Sequence, residues 1–161
     1  MDEAARRHAA AREVAARIWH AARPAGDEHP YLVRKGVATN GLRVFKGALV
    51  VRIRDAAGGL HSLQFIGASG TKRFLKGGRV AGLYFLIGVA GKVICIAEGY
   101  ATGASIHAAT GYSVAVAFNA GNLGPVAAVM RESHPDARLV VCADDDAGTE
   151  GNPGFTHARE A

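Results

Sequence analysis

The chain has 161 residues, 49% of them hydrophobic and 20% charged, with 21 glycines and a formal net charge of +5. That is the size of one domain or of two small lobes sharing a core, and the composition of a globular protein rather than a disordered, collagen-like or fibrous one. No stretch approaches the roughly 18 uninterrupted apolar residues of a membrane span, and Met1-Asp2-Glu3 brings acids where a secretion signal brings bases, so a cytoplasmic protein with no membrane partner is expected.

Glu3 to Ala22 is rich in Ala and Arg, and Ala11, Val14, Ala15, Ile18 and Ala22 share one helical face, predicting a helix that Pro24-Ala25-Gly26 ends. Trp19 is expected to dock this helix. His29 to Gly36 predicts a short second helix, with Pro30 near its start and Gly36 closing it. Leu49–Ile53, Leu60–Ile66 and Leu83–Ile87 are short β-prone runs between glycine turns and predict an antiparallel meander, turning at Ala56–Gly59 and again at Gly67–Gly70. From Lys92 the pattern changes. Val93–Ala97, Ser113–Phe118 and Leu139–Ala143 are continuously apolar, as strands covered on both faces must be, and helical segments at Ala101–Thr110 and Leu123–Ser133 alternate with them. This βαβαβ order predicts a parallel α/β sheet. Gly148–Gly154 is expected to form a loop, and Phe155–Ala161 the first turns of a helix. Cys95 and Cys142 stand alone inside apolar runs and read as core residues, so neither a disulfide framework nor a zinc site is expected.

The charge divides along the chain. Residues 1–90 hold 15 basic and 6 acidic residues, net +9, while residues 91–161 hold 4 and 8, net −4. We therefore expect two parts, a basic lobe over 1–90 and an α/β domain over 91–161. A basic surface beside clustered carboxylates suits an enzyme that handles nucleic acid with metal ions, although solvated surface charge gives the same totals.

In parallel sheets, functional groups gather where strands end at their carboxyl side. Glu98 closes the first buried strand and Asp144-Asp145-Asp146 closes the third, so these carboxylates converge if the two strands are neighbours. Alternation along an extended segment lets Asp144 and Asp146 face one cavity while Asp145 faces elsewhere. Clustered carboxylates repel unless a cation neutralises them, and their hard oxygens favour Mg²⁺ or Mn²⁺. A solvated acidic loop or helix cap is the plainer reading of the aspartate run alone. On the basic side, Lys72, Arg73, Lys76 and Arg79 run through a glycine-rich segment, and Arg52 and Arg54 alternate with Val51 and Ile53 along one strand face. These six are the candidates for contacting a template strand or a triphosphate, against the alternative of exposed loop charges. Tyr31, Phe65 and Tyr84 have the spacing of core aromatics more than of base-stacking ones, and His61 and His107 have no partner spacing.

Ile96-Ala97-Glu98-Gly99-Tyr100 followed by Val141-Cys142-Ala143-Asp144-Asp145-Asp146-Ala147-Gly148 resembles the Toprim domain shared by bacterial primases, topoisomerases and certain nucleases. The resemblance implies a Rossmann-like parallel sheet, with Glu98 as the family's metal-binding glutamate and Asp144 and Asp146 as its aspartate pair. Upstream, His29-Pro30-Tyr31-Leu32 and Lys72-Arg73-Phe74-Leu75-Lys76-Gly77-Gly78, together with Glu98-Gly99-Tyr100-Ala101-Thr102-Gly103, are similar to primases of plasmids, phages and integrative elements. Thr102 stands where chromosomal primases have a further aspartate, which also points to the mobile-element group. A complete Toprim domain continues with another helix and strand, so the chain is expected to be a reduced or truncated one.

By this resemblance the chain is expected to be a primase core that makes short RNA primers on a single-stranded DNA template from NTPs, with Mg²⁺ or Mn²⁺, and with a replicative helicase or a fused helicase domain as its further partner. Glu98, Asp144 and Asp146 would be catalytic through metal binding, and Asp145 would serve a second ion or only solvent. The alternatives are a non-catalytic nucleic-acid-binding or regulatory lobe and a Toprim nuclease. No phosphate-binding GxxxxGK[ST] loop occurs to support an ATPase-linked nuclease.

Overall fold

A computed structural model describes residues 1–143, and the chain divides into two units between Val80 and Ala81. The first unit opens with helix α1 (Glu3–Ala21), whose Asp2 side chain caps it by accepting from the Ala5 N–H at 2.7 Å. Five antiparallel strands follow in sequential order across one sheet: β1 (Arg23–Pro24), β2 (Arg43–Phe45), β3 (Ala48–Arg54), β4 (Leu60–Ile66) and β5 (Lys72–Phe74). Helix α2 (Pro30–Lys35) interrupts them between β1 and β2, with His29 accepting from the Tyr31 N–H and Gly36 closing the helix at φ +67°, a conformation that favours glycine.

Register explains which face α1 covers. Arg43 opposes Val50, Phe65 opposes both Val50 and Arg73, and Leu63 opposes Arg52, so these side chains share one side of the sheet. Ala15 and Ala22 pack there against Val50, Leu63 and Phe65, with Ile18 and Trp19 at the margin. The β3–β4 turn is built on Asp55. Its carboxylate accepts the N–H groups of Ala57 and Gly59 and lies 2.8 Å from His61 Nε2.

The second unit is a four-stranded sheet in the order β6-β8-β7-β9, made from β6 (Phe85–Ile87), β7 (Val93–Ala97), β8 (Ser113–Val116) and β9 (Arg138–Cys142). Strands β8, β7 and β9 are parallel, and β6 runs antiparallel along β8. Helix α3 (Tyr100–Thr110) joins β7 to β8, and α4 (Leu123–Ser133), entered by a 3₁₀ turn at Ala120–Asn122, joins β8 to β9. The helices lie on opposite faces. Leu123, Val126, Ala127 and Met130 of α4 bury Ile94, Ile96 and Ala115, whereas α3 approaches Val114 and Val116 so closely that a Cβ on Gly103 would stand 3.0–3.2 Å from their methyls. Coverage on both sides is what the uninterrupted apolar strands demanded.

Two details depart from the sequence reading. Leu83–Ile87 does not extend the antiparallel meander; its strand β6 pairs with β8, because buried Phe85 and Ile87 alternate with half-buried Leu86 on the edge of the second sheet. Strands β1, β2 and β5 were not anticipated, since two or three residues are too few to display a period of two. No described helix is long and apolar enough to cross a membrane. The expected loop at 148–154 and helix from 155 lie outside the described residues.

Candidate functional site

Parallel pairing of β7 with β9 sets Ala97 opposite Cys142. Glu98 is the residue after Ala97, and Asp144 is the second residue after Cys142, so both acidic segments follow directly on the carboxyl ends of adjacent strands. Glu98 is half-buried. Asp144, Asp145 and Asp146 lie outside the described residues, and among the described residues no three His, Cys, Asp or Glu side chains form a group able to hold a metal. Glu98 is thus the described member of the proposed ligand set, and its hard oxygen donors fit Mg²⁺ or Mn²⁺.

The backbone beneath Glu98 is firmly held. The Phe118 N–H donates to the Glu98 carbonyl at 2.7 Å, and the Ala117 N–H to the Ala97 carbonyl at 2.8 Å. Phe118 takes φ +78°, an uncommon conformation for a bulky residue, which costs on the order of 1–3 kcal/mol. Asn122 fixes this turn. Its buried amide donates to the carbonyls of Ala117 and Leu83 and accepts from the Gly82 N–H. Neither residue stood out in the sequence, because the demand on them is a backbone conformation rather than a motif.

Below the same strand ends, Cys95 and Cys142 interact through their thiols. Burial pushes both up, Cys142 to about 11 with a further contribution from Cys95, while the contact with Cys142 partly offsets the rise at Cys95. The core reading holds fully for Cys95, which is buried, and partly for half-buried Cys142.

The basic candidates divide between the two sides of the first sheet. Lys72 opposes Ile66, on the side away from α1, whereas Arg73 opposes Phe65 and sets its guanidinium 5.1 Å from that ring. Lys72, Arg73, Lys76 and Arg79 are all exposed. Arg52 and Arg54 are half-buried on β3. Arg52 stacks on Trp19 at 4.4 Å, and Arg43, which sequence reasoning passed over, stacks on the same ring at 4.2 Å and donates to the Trp19 carbonyl. Tyr31, Phe65 and Tyr84 are buried, in keeping with core roles. His61 is engaged by Asp55, and His107 lies 2.7 Å from the Tyr112 carbonyl.

Comparison with known proteins adds to this geometry. Residues 92–161 match the Toprim domain family. Two Escherichia coli proteins, each described as DNA primase TraC, are 34% identical over 99% of this chain and 35% identical over 82% of it. The chain spans 16% and 10% of their lengths. A chain in a solved structure of the bacteriophage T7 lagging-strand DNA polymerase, interacting with primase domains bound to an RNA/DNA hybrid and dTTP, shares the fold with a TM-score of 0.58. The match covers 86% of this chain and 73% of that one at 16% identity. A Toprim-like parallel sheet preceded by a basic lobe with a small antiparallel sheet is therefore the architecture, and the chain matches the Toprim domain over residues 92–161 and is homologous to part of the TraC DNA primases.

Proposed function

We propose that this chain carries the catalytic core of a DNA primase, a metal-dependent nucleotidyltransferase acting in the cytoplasm that makes short RNA primers on single-stranded DNA. The observation that carries the reading is the parallel pairing of β7 with β9, from whose carboxyl ends Glu98 and the Asp144–Asp146 segment follow in sequence. Glu98, Asp144 and Asp146 hold the divalent metal, and Asp145 serves a second ion or solvent. When bound, Mg²⁺ or Mn²⁺ neutralises charge on the phosphate oxygens and lowers the pKa of the attacking hydroxyl. A primer 3′-hydroxyl attacks the α-phosphate of an incoming NTP; a P–O bond forms, the bond to the β-phosphate bridge breaks, pyrophosphate leaves, and the hydroxyl proton passes to solvent.

The chain's own contribution is positioning and charge. The hydrogen bond from Phe118 fixes the Glu98 backbone, and Asn122 holds the turn that supplies it. Lys72, Arg73, Lys76 and Arg79, with Arg52 and Arg54, engage template and triphosphate through their phosphates. A replicative helicase is the natural partner of such an activity.

The test is oligoribonucleotide synthesis on single-stranded DNA with labelled NTPs and Mg²⁺ or Mn²⁺, comparing wild type with Glu98→Gln and Asp144→Asn. Metal-dependent products lost in both variants support the proposal. Absence of product from wild type, with DNA binding retained, contradicts catalysis by this chain and leaves a nucleic-acid-binding lobe.

A further inference from the structure

Strand β7 has a neighbour on each side, and the two neighbours end differently. On one flank β9 leads in sequence to Asp144–Asp146, and on the other β8 leads through Ala117 and Phe118 to Asn119. Val116 opposes Ala97, and the Phe118 N–H donates to the Glu98 carbonyl, so Asn119 is the next residue after a backbone group bonded to Glu98 itself. Phe118 holds φ +78°, and past it the chain enters the 3₁₀ turn at Ala120–Asn122. An asparagine at the start of such a turn ordinarily caps it, accepting from the free N–H groups. Asn119 occupies the cap position in an extended conformation, yet its side chain makes no capping hydrogen bond and is exposed. Asn122, three residues on, is the opposite case, buried and engaged with three backbone groups. The cations of this unit lie elsewhere. Among its described residues they are Lys92, Arg131 and Arg138, which stand before β7, near the end of α4 and at the start of β9, all toward the amino ends of the parallel strands. What β8 presents at its carboxyl end is therefore a neutral amide, with two donors and an acceptor.

We propose that Asn119 sets sugar specificity by hydrogen-bonding the ribose 2′-hydroxyl of the incoming nucleoside triphosphate. A hydroxyl both donates and accepts, as the amide does, whereas a phosphate would call for a cation that this end of the unit does not offer among its described residues. The inference rests on the nucleotidyltransferase reading above. Phosphates engaged on the carboxylate side of β7 leave the sugar to the β8 side, one strand spacing of about 4.8 Å across. A deoxyribonucleotide leaves the amide without that partner and is bound less tightly.

Binding of ATP and of dATP to the full chain is measured by titration calorimetry with Mn²⁺, for wild type and Asn119→Ala. Wild type should bind ATP about fivefold more tightly than dATP, the worth of one partly solvated hydrogen bond. Asn119→Ala should erase that margin by weakening ATP alone, leaving dATP affinity and thermal melting as in wild type, because the side chain makes no capping bond to lose. A purely structural role would weaken both nucleotides alike. Equal affinity of wild type for ATP and dATP, binding of neither, a preference that survives in Asn119→Ala, or an equal loss for both nucleotides in that variant each overturns the proposal. Primer synthesis is read separately. A preference for ATP that depends on Asn119 supports the inference even where wild type makes no primer, a result that would contradict only the polymerase reading.

Discussion

The antiparallel unit and the parallel unit place their polar groups by different rules. In the first, strands are exposed enough along their margins for cations to sit within the sheet itself, on β3 at Arg52 and Arg54 and on β5 at Lys72 and Arg73. In the second, helices cover both faces, and the described portion of β7 and β8 carries almost nothing but apolar side chains. Its polar chemistry is displaced to the point where the strands end, at Glu98. Half-buried antiparallel sheets distribute charge over a surface, whereas doubly covered parallel sheets concentrate it at one edge. Distributed cations suit a long polyanion, and concentrated carboxylates suit a small divalent ion.

The largest effect that sharpens this contrast is expected at Glu98. Glu98→Gln keeps shape and removes charge, and should lower metal-dependent primer synthesis by at least about 10²-fold, as much as loss of a residue supporting a metal ligand costs elsewhere. Thermal melting of the variant should match wild type. A variant that melts early would make Glu98 a structural residue.

Next come the two cores. Leu63→Ala removes a fully buried side chain beneath α1 and should cost about 2–5 kcal/mol, read as an early loss of Trp19 emission in a denaturant titration. Gly103→Val should cost about 1–3 kcal/mol, because α3 would have to retreat from Val114 and Val116. In that variant the Trp19 transition should stay in place while helix signal is lost earlier; a shift of both together would contradict separate cores.

The smallest expected effect is at Asp55. Its carboxyl is held below the usual range chiefly by the hydrogen bond with His61, assisted by the Gly59 and Ala57 N–H groups, against the opposing influence of burial. A depressed carboxyl contributes stability above its unfolded value near about 3.9, and that stability is lost as pH falls through the folded value. Asp55→Asn should therefore flatten the acid limb of the stability curve by less than about 1 kcal/mol, since the pair is partly solvated. An unchanged acid limb would show that the turn does not depend on the charge.

Much of the architecture was legible because burial leaves a mark on sequence. Continuous apolar runs identified β7, β8 and β9, and helical periodicity identified α1. Glu98 was singled out because it follows directly on such a run, at the carboxyl end of a strand, where functional groups of parallel sheets gather. Pairing partners were less legible. The Phe85-Leu86-Ile87 segment carries the same composition as the first sheet's strands, and only three-dimensional packing assigns it to β8. Arg43 escaped notice because its strand is three residues long, and its role depends on an indole 24 positions away. Phe118 and Asn122 were hidden for another reason. A left-handed φ at a non-glycine residue has no sequence signature, and a buried amide reveals its purpose only through the three backbone groups it satisfies.

The central claim is that Glu98 and the aspartates after β9 form one divalent-metal site. Manganese binding followed by electron paramagnetic resonance on wild type, Glu98→Gln and Asp144→Asn tests it without requiring turnover. The account predicts saturable binding by wild type that each single substitution weakens by about tenfold or more. Equal manganese affinity in all three proteins would contradict it.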